Sequence, residues 1–154
     1  MTRTLSVILI SSIPLAAQTN GERIVIVNAK EVVARPGKES VVRLEVHVKE
    51  GYHIQANQTE NESVIPTRID ITSDQKFTIG KMIFPATKKF RLEGTEDHLD
   101  VYDGIFEVLI HVRTPRRIKK GVYPLNGKLN FQACDDVRCL FPRTAEFRIE
   151  ASVR

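Results

Sequence analysis

Apolar and polar residues alternate along this chain with a period of two, and no stretch shows a convincing helical period. Val42, Leu44, Val46 and Val48 alternate with Arg43, Glu45, His47 and Lys49. Phe106, Val108, Ile110 and Val112 alternate with Glu107, Leu109, His111 and Arg113. Phe147, Ile149 and Ala151 alternate with Arg148, Glu150 and Ser152. A strand sends successive side chains to opposite faces, so each run predicts a half-buried strand with one face on a core. Arg23 to Val27, Arg68 to Thr72, Lys76 to Phe84 and Val122 to Ala133 are further candidates. Turn signals separate them at Arg35-Pro36-Gly37-Lys38, Glu50-Gly51, Asp103-Gly104, Lys120-Gly121 and Asn126-Gly127. Asn126-Gly127 fits either a tight hairpin or a bulge in one long strand. Seven to nine short strands at this spacing predict an all-β fold, an antiparallel two-sheet sandwich, with a closed barrel as the alternative. Ala56 to Ser63 and Pro85 to Val101 read as long polar loops, the first holding the glycosylation-type triplets Asn57-Gln58-Thr59 and Asn61-Glu62-Ser63.

The N-terminus bears on compartment. Arg3 precedes the mostly apolar stretch Leu5 to Leu15, and Ala16-Ala17 is a small-residue exit. Residues 1–17 are therefore expected to be a secretory signal peptide, with residues 18–154 as one mature domain. The apolar stretch is short for a membrane span, and no transmembrane segment is expected in the mature chain. About 137 residues suit one domain with a real core. The expected location is the periplasm or another exported compartment, where disulfides form and persist. Formal charge is +4 for the whole sequence. The basic cluster from Arg113 to Lys120 lacks the aromatic interleaving that stacks on bases, so no nucleic acid partner is expected.

Within that compartment the two cysteines carry the chemistry. Cys134 and Cys139 lie in the run Phe131-Gln132-Ala133-Cys134-Asp135-Asp136-Val137-Arg138-Cys139-Leu140-Phe141-Pro142. The spacing lets them bond to each other. A bridge closing so short a loop removes little unfolded-state entropy, about 2 kcal/mol. That favours a pair that is made and broken over one that only holds the fold. A plain hairpin disulfide or two idle thiols remain as alternatives.

The cysteine run resembles the motif of the periplasmic N-terminal domain of the thiol:disulfide interchange protein DsbD: an aromatic, Gln, a small residue, Cys, a short acidic turn, Cys, an aromatic and Pro. Gly51-Tyr52-His53-Ile54 resembles that family's Gly-Tyr segment, and Asp100-Val101-Tyr102-Asp103-Gly104 resembles the loop capping its cysteines. The resemblance spans roughly Ile24 to Val153. It implies an immunoglobulin-like sandwich whose cysteines take electrons from a thioredoxin-like protein or membrane thiol carrier and pass them to oxidised periplasmic proteins. Tyr102 matches the capping aromatic. Four residues separate the cysteines here, against five in the best-known members. The chain also ends at Arg154, without the membrane carrier and thioredoxin-like domain of full-length DsbD, so either those parts are separate proteins or this module does something else.

Exchange needs a thiolate attacking a disulfide sulfur in line. Arg138 adjoins Cys139 and favours its thiolate, while Asp135 and Asp136 oppose that of Cys134. Cys139 is accordingly the sulfur expected to meet partners, a role the second cysteine also tends to have in the resembled family. Tyr102 is expected to shield the sulfurs, Asp100 to help move protons, and Tyr52 to line the same edge. Each has a plainer reading as a packing or turn residue. No cofactor or metal is expected: two cysteines do not complete a zinc site, and His47, His53, His98 and His111 have no close ligand spacing. The competing function is a non-catalytic exported binding module with a static disulfide.

Overall fold

The computed structural model describes residues 23–96 and 98–154. The proposed leader, residues 1–17, lies outside them. The described elements are the strands β1 (Val25–Ala29), β2 (Val32–Ala34), β3 (Glu39–Val48), β4 (His53–Gln55), β5 (Arg68–Thr72), β6 (Thr78–Ile83), β7 (Lys88–Arg91), β8 (His98–Tyr102), β9 (Ile105–Arg113), β10 (Gly121–Phe131), β11 (Ala133–Cys134) and β12 (Arg143–Val153), with no helix among them. The fold is all-β, as the alternation predicts.

Two four-stranded sheets form the sandwich, in the orders β1-β3-β9-β6 and β2-β12-β10-β5. Pairing is antiparallel except for β2, which runs parallel to β12. The inward residues are those the period-two pattern selects. Val42, Leu44, Val46 and Val48 on β3 and Val108, Ile110 and Val112 on β9 are buried. On the second sheet Leu125, Leu129 and Phe131 of β10 and Phe147, Ile149, Ala151 and Val153 of β12 are buried. Residues of both sheets join in one core. Burying each such large aliphatic side chain contributes about 1.5–3 kcal/mol.

Asn126-Gly127 forms neither a hairpin nor a bulge. The β10–β12 register runs without a shift from Gly121↔Val153 to Phe131↔Arg143. Gly127 faces Phe147, and a Cβ on Gly127 would come within 2.1 Å of the Phe147 ring. The glycine is therefore a seat for that ring, inside a continuous strand.

A third sheet, β11-β4-β8-β7, goes beyond the two-sheet expectation. It consists of strand continuations. β4 follows β3 after a turn at Gly51, whose φ is 80°, and β8 leads into β9 through Gly104, whose φ is 61°. Positive φ suits glycine, which lacks the clashing Cβ. β11 follows β10 after the single residue Gln132. The small sheet thus joins both large ones and carries Cys134. The stretch Pro85 to Val101, expected as a loop, instead supplies the β7–β8 hairpin. Lys88, Lys89 and Arg91 hide β7 from a hydrophobicity pattern, and such charges are usual on an edge strand, where they discourage pairing with another chain.

Candidate functional site

Cys134 ends β11, and the chain reverses at once to Cys139. The two residues face each other as an isolated antiparallel bridge, closed by a disulfide with alpha-carbons 3.9 Å apart. The Asp135 amide donates to the Arg138 carbonyl at 3.0 Å, and the Leu140 amide donates to the Ala133 carbonyl at 2.7 Å. Asp135 itself builds the turn. Its Oδ1 accepts the Val137 amide at 2.9 Å and the Arg138 amide at 2.8 Å. These bonds, with Arg138 the foremost donor, hold its carboxyl below the usual carboxylate range. Gln132 braces the base of the hairpin: its Nε2 donates to the Leu140 carbonyl at 3.1 Å and its Oε1 accepts the Ile65 amide at 2.8 Å.

The sulfurs are unequal. Cys134 is fully buried, whereas Cys139 is partly exposed. The charges expected to distinguish them are arranged otherwise. Arg138 Nε lies 3.8 Å from Asp135 Oδ2, so the two groups offset each other at the turn. Sequence adjacency suggested a cation on one thiol and an anion on the other, but a four-residue turn folds its own ends together. Exposure, and not this ion pair, now separates the cysteines.

Register decides which other residues reach the sulfurs. Cys134 pairs with His53 and Ala133 with Ile54, while Ile54 pairs with Tyr102 and Gln55 with Val101. Paired residues share a face and successive ones alternate. Cys134, His53 and Gln55 therefore lie on one face of the small sheet, and Ala133, Ile54, Tyr102 and Asp100 on the other. The structure does not bring Tyr102 to the sulfurs. Its ring packs against Phe84 and Phe106, with centroids 5.9 and 4.9 Å away. Its hydroxyl donates to Asn57 Oδ1 at 2.5 Å, and burial is the main influence pushing the phenol above its ordinary range. Asp100 accepts from Lys89 at 2.9 Å and from Thr87 at 3.0 Å. Those two bonds, Lys89 first, hold its carboxyl low, and it too lies on the face away from the cysteines. Tyr52 packs against the core, with the Lys49 ammonium 5.9 Å from its ring centroid.

Other residues flank the disulfide. Gln55 Nε2 donates to Cys134 Sγ at 3.1 Å and lies 4.0 Å from Cys139 Sγ. Phe90 of β7 stacks on the His53 ring at 4.1 Å. The tip of the β7–β8 hairpin reaches the acidic turn, where the Glu93 amide donates to the Asp136 carbonyl at 2.9 Å. Period two from Tyr52 onward puts His53 and Gln55 together in the sequence, but only the β4–β11 register ties that pair to Cys134. Among the described residues no three His, Cys, Asp or Glu side chains cluster as metal ligands, and no helix is long and apolar enough to cross a membrane.

Replacing Tyr102 by phenylalanine is expected to cost about 1 kcal/mol, for the lost hydroxyl bond. The rate of disulfide reduction by a small dithiol should not change, because the ring is on the other face. Denaturant unfolding and reduction kinetics check the two halves. A several-fold change in reduction rate without unfolding would restore Tyr102 as a cap.

The class is now defined: an immunoglobulin-like sandwich with a hairpin disulfide that joins a buried cysteine to a partly exposed one. The family description "Thiol:disulfide interchange protein DsbD, N-terminal" matches residues 22–151, and the chain belongs to that family. It is thus a domain of the thiol-disulfide interchange type. Among solved structures, the N-terminal periplasmic domain of ScsB from Proteus mirabilis is similar, with a TM-score of 0.52 and 20% identity over 82% of this chain and 44% of that one. The chain therefore spans less than half the length of that ScsB chain. The Neisseria meningitidis DsbD N-terminal domain in the reduced form gives a TM-score of 0.43 and 17% identity over 72% of this chain and 77% of its own. No match was found among curated protein sequences.

Proposed function

We propose that the chain is an exported electron-transfer domain. It takes electrons from a reduced thioredoxin-like protein or membrane thiol carrier and delivers them to oxidised periplasmic proteins through Cys134 and Cys139. The observation carrying this reading is the asymmetry of the disulfide, with Cys134 buried and Cys139 partly exposed. A donor thiolate attacks Cys139 Sγ, the Cys134–Cys139 bond breaks, and its electron pair leaves on Cys134 Sγ. A second donor thiolate then attacks the donor sulfur of the mixed disulfide, releasing Cys139 and leaving the donor oxidised. Delivery runs the same chemistry in reverse: the Cys139 thiolate attacks an oxidised protein and Cys134 resolves the mixed disulfide. The β7–β8 hairpin takes the covering role expected of Tyr102, because Phe90 stacks on His53, the register partner of Cys134, and the Glu93 amide bonds to the turn between the cysteines. The apolar stretch Leu5 to Leu15 with Ala16-Ala17 directs export, and residues 18–154 form the working domain.

Equilibration of the pair against glutathione buffers tests this. A reduction potential above about −300 mV is expected, with reduction by a thioredoxin-like protein within minutes. Structural disulfides lie below that range. A pair that neither glutathione nor the thioredoxin-like protein reduces would instead identify a binding module with a static bridge.

A further inference from the structure

Gln55 is an odd residue to bury. It is wholly inaccessible to solvent and its backbone is fully engaged. Its amide donates to the Gln132 carbonyl at 3.1 Å, and its carbonyl accepts the Thr67 hydroxyl at 2.5 Å. The side chain is therefore held at a fixed position over the disulfide. Its Oε1 nevertheless has no hydrogen-bond partner. A buried carboxamide with an unmet acceptor costs free energy that an apolar residue of the same size avoids. Packing alone does not account for Gln55. The polar contacts of its side chain are with the disulfide: the donation to Cys134 Sγ at 3.1 Å, with Cys139 Sγ more distant at 4.0 Å.

We propose that Gln55 is a catalytic residue of the exchange reaction, and that its Nε2–H holds the Cys134 sulfur as that sulfur becomes a thiolate. The inference rests on the exchange reading given above. When a thiolate attacks Cys139, the electron pair of the broken bond arrives on Cys134 Sγ, in a site closed to water. An anionic sulfur accepts a hydrogen bond more strongly than a disulfide sulfur. The Gln55 donation therefore strengthens as the charge develops, which lowers the barrier as well as the Cys134 thiol pKa. When Cys134 is later protonated, its S–H becomes a donor, and the unmet Oε1 is an acceptor on the same side chain that rotation of the carboxamide can turn toward it. One side chain thus serves both protonation states of the buried cysteine.

The test needs no protein partner. In a Cys139→Ser background, the Cys134 pKa is read from thiolate absorbance in the ultraviolet. Gln55→Met keeps the length and removes the donor, and the Cys134 pKa should rise by about one unit. Gln55→Glu adds a negative charge and should raise it further. In the disulfide-bearing protein, Gln55→Met should slow reduction by dithiothreitol about threefold or more, since a more basic leaving thiolate departs more slowly. Circular dichroism follows folding. An unchanged pKa and an unchanged rate in a folded Gln55→Met protein would overturn the proposal. If both variants misfold, the Gln55 side-chain amide resonances of the Cys139→Ser protein decide. They should shift downfield as Cys134 ionises, and resonances that ignore the titration would also overturn it. A shifted pKa in a protein that exchanges with no thioredoxin-like donor would leave Gln55 its role at the sulfur and defeat only the electron-transfer reading.

Discussion

Cys139→Ser is expected to abolish exchange with a reduced thioredoxin-like protein, and Cys134→Ser is expected to capture that protein as a stable mixed disulfide. Both outcomes follow from where the sulfurs sit. Cys134 is completely buried, so a partner's thiolate has no line of approach to it, and in-line approach is required. Cys139 is partly exposed on the returning limb of the hairpin. Without Cys139 the remaining thiol is out of reach. Without Cys134 the mixed disulfide at Cys139 lacks its resolving thiol. Either substitution should cost only about 2 kcal/mol of stability, because the closed loop is short. Gel-shift trapping on both variants, with circular dichroism as the folding control, reads the result. Capture by Cys139→Ser but not by Cys134→Ser would reverse the two roles.

The second large effect concerns Gly127, where two tendencies oppose each other. Glycine inside a strand is ordinarily worse than alanine by about 0.5–1 kcal/mol, so propensity alone predicts that Gly127→Ala stabilises. Contact predicts the contrary. The added methyl would lie 2.1 Å from the Phe147 ring, and that ring belongs to the core. Displacing it is an overpacking defect of about 1–3 kcal/mol, which exceeds the propensity gain. Gly127→Ala is therefore expected to destabilise. Combining it with Phe147→Leu should cost less than the sum of the two single changes, with a coupling of about 1 kcal/mol. Denaturant unfolding of the four proteins measures it. Simple additivity, or a gain in stability from Gly127→Ala alone, would show that the ring does not depend on this seat.

How far the sequence speaks for the fold depends on strand length. β3, β9 and β12 each hold several turns of the period-two pattern, so their inward faces are readable from residues alone. The third sheet is not readable in that way. β11 has two residues and β4 has three, too few for a period to emerge, and the charges of β7 mask what little pattern it has. Its strands are defined by pairing with distant segments, which a local pattern does not encode. The site follows the same division. The cysteine pair is visible as a motif, and the motif names the family. The expectation for Tyr102 met a question of parity: a shift of one residue in register sends a side chain to the opposite face, and no feature near Tyr102 fixes that register. Gln55 is hidden for the complementary reason, since a glutamine at the end of the three-residue strand β4 resembles any polar residue near a turn. The expected assignment of Cys139 rested on the charge of Arg138; the structure supplies exposure as the separate physical basis on which the proposal now stands.

The continuity of β10 into β11 has a mechanical consequence. While a mixed disulfide exists, the partner is covalently tethered to the hairpin, and its thermal motion tugs on the chain just beyond Gln132. A pull along the direction of β10 loads its ladders with β12 and β5 in shear. Many hydrogen bonds then share the force at once, whereas a strand peeled from its end loses them one after another. All eleven residues of β10 pair with β12, and five of them also pair with β5. The hairpin is thereby moored to the most extensively bonded strand of the sandwich, which lets a tethered partner swing and depart without fraying the fold that holds the second sulfur in place.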